Sequence, residues 1–230
     1  MGIWQRIRFQ ASSYNEGSTT NKLRRRRMAR LERFFRETFA ADIEARRRVT
    51  ILDIGGSYRF WKSMGFPFAD TAHITLFNIK QVALPDGTPN MESMVGDARN
   101  MAGIGDQSFD LVFSNSCIEH VGKEREWQMM ADEMRRVGKH YFLQTPNRYF
   151  PVEPHFLFPF FQFFPVWLKA VFIRHFELGF WPQGKDWDDS LKIADEIKLL
   201  RGKDLKRLFP EAKMARERLG GLTKSFMVYR

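Results

Sequence analysis

The stretch Val49 to Trp61 (VTILDIGGSYRFW) constrains the fold of this chain more than any other. Val49, Ile51, Leu52 and Ile54 make a nearly continuous apolar run, the pattern of a strand covered on both faces, and such strands belong to parallel sheets. Asp53 and the pair Gly55-Gly56 then mark a tight turn into a helix, where a missing Cβ lets the backbone approach a ligand. Free backbone N–H groups there, with the positive end of the following helix, suit polar or negative ligand groups. The spacing is not a full G-x-G-x-x-G, because Ser57, Tyr58 and Arg59 stand where further glycines would, and glycine in such turns also serves purely structural ends.

The chain beyond this turn alternates. His73–Ile79, Met91–Val95, Phe109–Ser114 and His140–Thr145 read as strands, with turns at Pro85–Pro89 and Gly103–Asp106. Phe60, Trp61 and Met64 suggest a short helix, and Lys123–Val137 carries Trp127, Met130 and Met134 at helical spacing before Gly138. That interval predicts a right-handed, doubly wound parallel sheet. Towards the end, Asp186–Ser190 reads as a loop, and Leu191–Leu200 and Gly202–Phe209 as helices closed by Pro210. Ala212–Arg218 and Thr223–Tyr229 read as two strands joined at Gly220-Gly221.

At 230 residues the chain suits one α/β domain with additions. Residues 1–21 are rich in Ser, Thr, Asn and Gly and predict a flexible arm; 22–48 predict an amphipathic helix striped by Met28, Leu31, Phe35 and Phe39. The net charge of +10 is concentrated there, in Arg24–Arg27, Arg30, Arg33, Arg36 and Arg46–Arg48. Such a surface attracts phosphate-bearing partners such as nucleic acid, anionic lipid or a phosphorylated substrate, or is simply a solvated face. The lone Cys117 cannot form an intrachain disulfide or a cysteine zinc cluster, and no apolar run reaches a bilayer span, so a cytoplasmic location is expected. Ten of the 23 Phe residues crowd into 149–185, which reads as a lid or substrate wall with a helix over Val166–Phe180. It suits a hydrophobic or lipid-linked acceptor or peripheral membrane contact; equally, its rings could pack on the sheet or in a homodimer interface.

In serial order these motifs resemble a class I S-adenosylmethionine-dependent methyltransferase, from about Thr50 to Arg230, most closely the small-molecule methyltransferases of the ubiquinone-biosynthesis type. The resemblance implies a Rossmann-like α/β fold over residues 22–230, seven strands in the order 3-2-1-4-5-7-6 with an antiparallel last strand, and S-adenosyl-L-methionine as cofactor. It places Asp53, Gly55 and Gly56 at the methionine part of the cofactor. Asn78 stands where the family has an acid for the ribose hydroxyls, and can still hydrogen-bond them without the strength of a charge. Asp97 and Ala98 fall at the adenine, and Asn115 in the segment Ser114–Val121 that closes over the cofactor.

Methyl transfer is an in-line displacement in which the protein aligns the groups and excludes water, so no metal is required. For a hydroxyl acceptor a general base helps, and His120 and His155, backed by Glu119 and Glu153, are the candidates; either could instead be a structural hydrogen-bonding residue. The expected activity is thus methylation, at oxygen, of a small or lipid-like acceptor. A nicotinamide oxidoreductase fits less well, since Asn78 replaces the ribose acid and Gly96-Asp97-Ala98 has no counterpart there. The alternative is a non-catalytic Rossmann-like protein that binds nucleic acid or anionic membrane through the helix of Arg24–Arg48. Nucleic acid is disfavoured as the methylated partner, because Ser114-Asn115-Ser116-Cys117 lacks the Asn/Asp-Pro-Pro-aromatic pattern and no separate RNA-binding domain is present.

Overall fold

The computed structural model describes residues 18–88 and 90–230. Helices α1 (Thr19–Thr38) and α2 (Ala40–Glu44) lead into β1 (Val49–Ile54), α3 (Tyr58–Ser63), β2 (Ala72–Asn78), β3 (Met91–Val95) and β4 (Phe109–Asn115). A 3-10 turn at Ile118–His120 precedes α4 (Glu124–Val137) and β5 (Gly138–Pro146). The aromatic insert holds the short ribbon β6 (Val152–Glu153) and β7 (Phe158–Pro159), a 3-10 turn at Phe161–Phe163, and α5 (Val166–His175). Then follow α6 (Trp187–Glu196), α7 (Gly202–Leu208), β8 (Lys213–Leu219) and β9 (Leu222–Tyr229).

Seven strands form one sheet in the order β3-β2-β1-β4-β5-β9-β8. With the insert's two short strands set aside, this is the expected 3-2-1-4-5-7-6. Strands β1 to β5 are parallel, and β9 runs antiparallel to both β5 and β8. The β1 run is buried on both faces as its sequence predicts. Leu52 and Ile54 join Trp127, Met130 and Leu205 on one side, and Val49 and Ile51 join Leu31, Phe35 and Trp61 on the other. Register sets Ile54 beside Phe77 and Ser114, and Asn115 beside Gln144, so the C-terminal ends of β1, β2, β4 and β5 share one edge. In open parallel sheets that edge is the ligand side.

Several boundaries differ from the sequence reading. Helix α1 starts at Thr19 because Ser18 caps it, its Oγ accepting from Asn21 N at 3.0 Å; residues 1–17 of the expected arm lie outside the described residues. The helix does not run on to Arg47. Phe39 leaves helical geometry (φ −110°, ψ 25°) with its ring against Phe35 and His140, and Arg46–Arg48 lie in the connection to β1. Helix α5 stops at His175 rather than Phe180, and the chain turns back at Gly179, whose φ of +56° and closeness to His155 O (2.4 Å from a built Cβ) admit no side chain. The polar stretch Asp186–Ser190, read as a loop, is the cap and first turn of α6, with Asp186 Oδ1 accepting from Asp189 N. Phe156, Phe161, Ile173, Leu178, Ile193 and Leu199 give the insert its own apolar cluster. Among the described residues, no helix is long and apolar enough to cross a membrane.

Candidate functional site

Two clefts open along the sheet's C-terminal edge. The first, about 300 Å³, is lined by Asp53, Gly55, Gly56, Asn115 and His155, and the second, about 220 Å³, by Gly55, Asn78, Asp97, Ala98 and His120. All nine residues named from the sequence thus fall on these walls, and Gly55 belongs to both.

The glycines leave no room for side chains. A Cβ on Gly55 (φ +76°) would lie 2.7 Å from Cys117 Sγ, one on Gly56 2.0 Å from Asp53 Oδ2, and one on Gly96 2.4 Å from the Phe77 ring. Ser57 takes the third glycine's place without strain, because its backbone is extended and its Oγ caps α3 by accepting from Phe60 N at 3.2 Å. Tyr58 packs on Phe66, outside both clefts. Asp53 is buried, and its Oδ2 accepts from Trp61 Nε1 at 2.7 Å. Burial pushes this carboxyl up to about 7, the Trp61 hydrogen bond partly offsetting the effect. Asn78 Nδ2 donates to Gly56 O at 2.9 Å, tying the end of β2 to the glycine turn.

Asp97 holds Arg99 through two-pronged hydrogen bonds, and Arg99 keeps its carboxyl below the ordinary range. Arg99 lines the second cleft and was not anticipated. Nor were Arg24, Arg27 and Lys224, which line the first. Arg24 lies over the Phe60 ring at 5.3 Å, Arg27 Nε is 3.5 Å from Glu217 Oε1, and burial lowers the Lys224 pKa. Two arginines of the basic helix therefore face the site, a placement that helical periodicity could have flagged, since both fall near the apolar stripe. Gln144 Oε1 accepts from Ser116 Oγ at 3.0 Å, whereas its buried Nε2, on the wall of the first cleft, has no partner among the described residues.

Glu119, His120 and His155 stand together, His120 on the second cleft and His155 on the first. The two imidazoles meet edge to face at 5.1 Å. Glu153 accepts from the backbone of His155 and Phe156, and its Oε1 lies 2.7 Å from His155 Nδ1. Burial, then the neighbouring His155, lowers the His120 pKa; burial lowers that of His155 too, but Glu153 with Glu119 and Glu196 together outweigh it and raise it. Burial pushes the Cys117 thiol up to about 12, away from the thiolate form a nucleophile needs.

Residues 63–141, about a third of the chain, match the family model of a methyltransferase domain. Uncharacterized protein Rv1509 of Mycobacterium tuberculosis is 35% identical over 72 residues, 31% of this chain, and the match spans only 24% of that relative's length. Among solved structures, a SAM-dependent methyltransferase from Methanosarcina mazei aligns over 79% of this chain and 91% of its own, with TM-score 0.47 and 16% identity. An O-methyltransferase family protein from Burkholderia thailandensis aligns over 84% and 51%, with TM-score 0.47 and 15% identity.

Proposed function

We propose that this chain, which carries a class I methyltransferase domain, transfers a methyl group from S-adenosylmethionine to an oxygen of a small or lipid-like acceptor. The observation that carries the proposal is the junction of the two clefts at Gly55, with Gly55, Gly56 and Gly96 each closed to a side chain. A cradle in which a Cβ would strike its neighbours fits the cofactor, with Asp53, Gly55 and Gly56 at its methionine part, Asn78 at the ribose, and Asp97 and Ala98 at the adenine. When bound, the cofactor supplies an activated methyl whose transfer to oxygen breaks the S–CH3 bond and leaves that electron pair on sulfur.

The chain's own residues do the rest. Asn115, Ser116 and Gln144 give polar contacts on the first cleft's floor, and Phe60, Phe113 and Phe150 exclude water from it. In this reading His155 on the first cleft and His120 on the second are the candidates to take the acceptor's hydroxyl proton. Arg24, Arg27 and Lys224 support an acceptor that carries a negative group, and the adjoining insert, with exposed Phe160, Trp167 and Phe176, supports a lipid-linked acceptor met at a membrane surface. Because Arg24 and Arg27 turn into the cleft, they are withdrawn from the outer helix face on which nucleic-acid binding would draw.

Calorimetric titration with S-adenosylhomocysteine tests the cofactor assignment. Wild type is expected to bind at micromolar affinity, and Gly56→Ala, whose new Cβ collides with the Asp53 carboxylate, to bind at least about tenfold more weakly. Folded wild type that does not bind, or a Gly56→Ala variant of full affinity, would overturn it.

A further inference from the structure

We propose that Glu119, His120 and His155 form a binding site for one divalent transition-metal ion between the two clefts. One ligand atom from each of the three lies within 4.8 Å of the others. Two imidazole nitrogens with one carboxylate oxygen are a donor set suited to zinc, manganese, iron or cobalt, and three protein ligands leave positions open for a substrate oxygen.

The surroundings are those of a metal site as well. Metal-ligating histidines turn their second nitrogen to a carboxylate, which fixes the ring and its tautomer. His155 does so, its Nδ1 2.7 Å from Glu153 Oε1, which leaves Nε2 as the ligand; His120 Nδ1 stands 3.6 Å from Glu196 Oε1, at ion-pair rather than hydrogen-bond distance. Glu153 is itself fixed, its Oε2 accepting from His155 N at 2.8 Å and Phe156 N at 2.7 Å. The turn bearing Glu119 and His120 is clamped by Lys198 N, which donates to Glu119 O at 2.8 Å.

Glu119 supplies the independent observation. It is fully buried, its Oε2 accepts from Thr145 Oγ1 at 2.9 Å, and its Oε1 has no hydrogen-bond partner among the described residues. A buried carboxylate oxygen without a partner is costly, and a cation on Oε1 removes that cost.

This departs from the expectation that the site needs no metal. The ion's consequence for catalysis rests on the methyl-transfer proposal, whereas its binding does not. With both imidazoles bound to it, the ion would replace them as the means of activating the acceptor: as a Lewis acid it would hold the acceptor oxygen and lower the pKa of its hydroxyl, the proton passing to solvent and the ion keeping its oxidation state.

Chelator-dialysed full-length protein is titrated with Zn²⁺ by calorimetry and with Co²⁺ by its visible absorption. One ion per chain is expected, at micromolar affinity or tighter. Glu119→Gln and His155→Ala should each weaken it at least about thirtyfold, about 2 kcal/mol; His73→Ala, on β2, should leave it unchanged. Glu119→Gln keeps an acceptor for Thr145 and decides the matter if His155→Ala fails to fold by circular dichroism. Wild type that takes up no ion, or binding that survives Glu119→Gln, overturns the site. The same samples are titrated with S-adenosylhomocysteine. Nucleoside binding without metal binding overturns the metal site alone, and metal binding without nucleoside binding overturns the methyl-transfer proposal alone.

Discussion

Asp53 is 1% exposed at the end of β1, with Trp61 Nε1 as its side-chain donor, and its carboxyl sits near 7 because burial penalises the charge. A folded-state value above the ordinary 3.8 means that the folded chain holds this proton more tightly than the unfolded chain. The associated stability is full below about pH 4 and is lost as pH rises through about 7. Asp53→Asn keeps an acceptor for Trp61 and removes the buried charge. It should therefore be more stable than wild type at pH 8 by about 1–3 kcal/mol, and close to it below about pH 4. Urea unfolding at the two pH values checks this; an equal difference at both would show that the charge is not what burial penalises. The same change should weaken S-adenosylhomocysteine binding, since the carboxylate forms the cradle's floor under Gly56. Asp53 and the glycines could be read in the sequence because their roles follow from a strand, a turn and a helix that are contiguous. Gln144 and Lys224 could not, because they reach the cleft from β5 and β9, and no local pattern says which elements will meet; for Arg24 and Arg27 periodicity gave the side of α1 but not the cleft it would face.

Helix α1 shows what periodicity conveys and what it omits. Its stripe of Met28, Leu31 and Phe35 is buried against the β-sheet face that carries Val49 and Ile51, so the expectation of an amphipathic helix at this position held. The break at Phe39 did not appear, because an aromatic at the next stripe position continues a helical pattern equally well. Since Phe35 is fully buried and stacks on Phe68 at 4.2 Å, Phe35→Ala should cost about 3–5 kcal/mol in urea unfolding. A cost under about 1 kcal/mol would mean that α1 is a detachable arm. Just beyond the helices, Asp110 on β4 accepts from Thr50 N, Arg47 Nη1 and Lys139 Nζ, joining three segments. Burial pushes this carboxyl up, but Arg47, the Thr50 amide and Lys139 together outweigh it and hold it well below the usual range. Its stability is present above the ordinary carboxylate pKa and is lost as pH falls below it. Asp110→Asn should cost about 2 kcal/mol at pH 7, and the gap to wild type should narrow as the pH falls below about 4. In sequence Asp110 looks like any polar residue early in a strand; its partners lie 60 residues before it and 29 after it.

At the scale of the whole molecule, the doubly wound parallel sheet followed from the alternation of strands and helices, because right-handed crossovers leave few ways to arrange such a chain, whereas the strand order came only with the family resemblance. The insert followed no such rule, and its composition left open whether its rings pack inward or face out. They do both. Phe156 and Phe161 are buried with Ile173 and Leu178, while Phe160 (55% exposed), Trp167 (59%) and Phe176 (57%) stand out from the surface. Phe160 holds a left-handed backbone (φ 58°), a conformation that a bulky side chain adopts at a cost. Arg174 lies two turns beyond Trp167 on the same side of α5, so an apolar ring and a positive charge share one face, while Lys169 is partly buried on the other side beside Lys198. A surface of this kind should partition into the interface of an anionic bilayer, each ring contributing about 1–2 kcal/mol and each nearby cation about 1 kcal/mol. Vesicles with about a third anionic lipid should therefore sediment the protein at low salt, less so at high salt. The double change Phe160→Ala and Trp167→Ala should weaken binding at least about tenfold while leaving S-adenosylhomocysteine affinity intact, because neither residue lines the two clefts. Binding that falls with salt but ignores the double change would assign membrane contact to the outward arginines of α1 instead. No sedimentation at any salt would rule out membrane docking and leave the exposed rings to contact a second copy of the chain, which light scattering would detect as a dimer that the same double change dissociates.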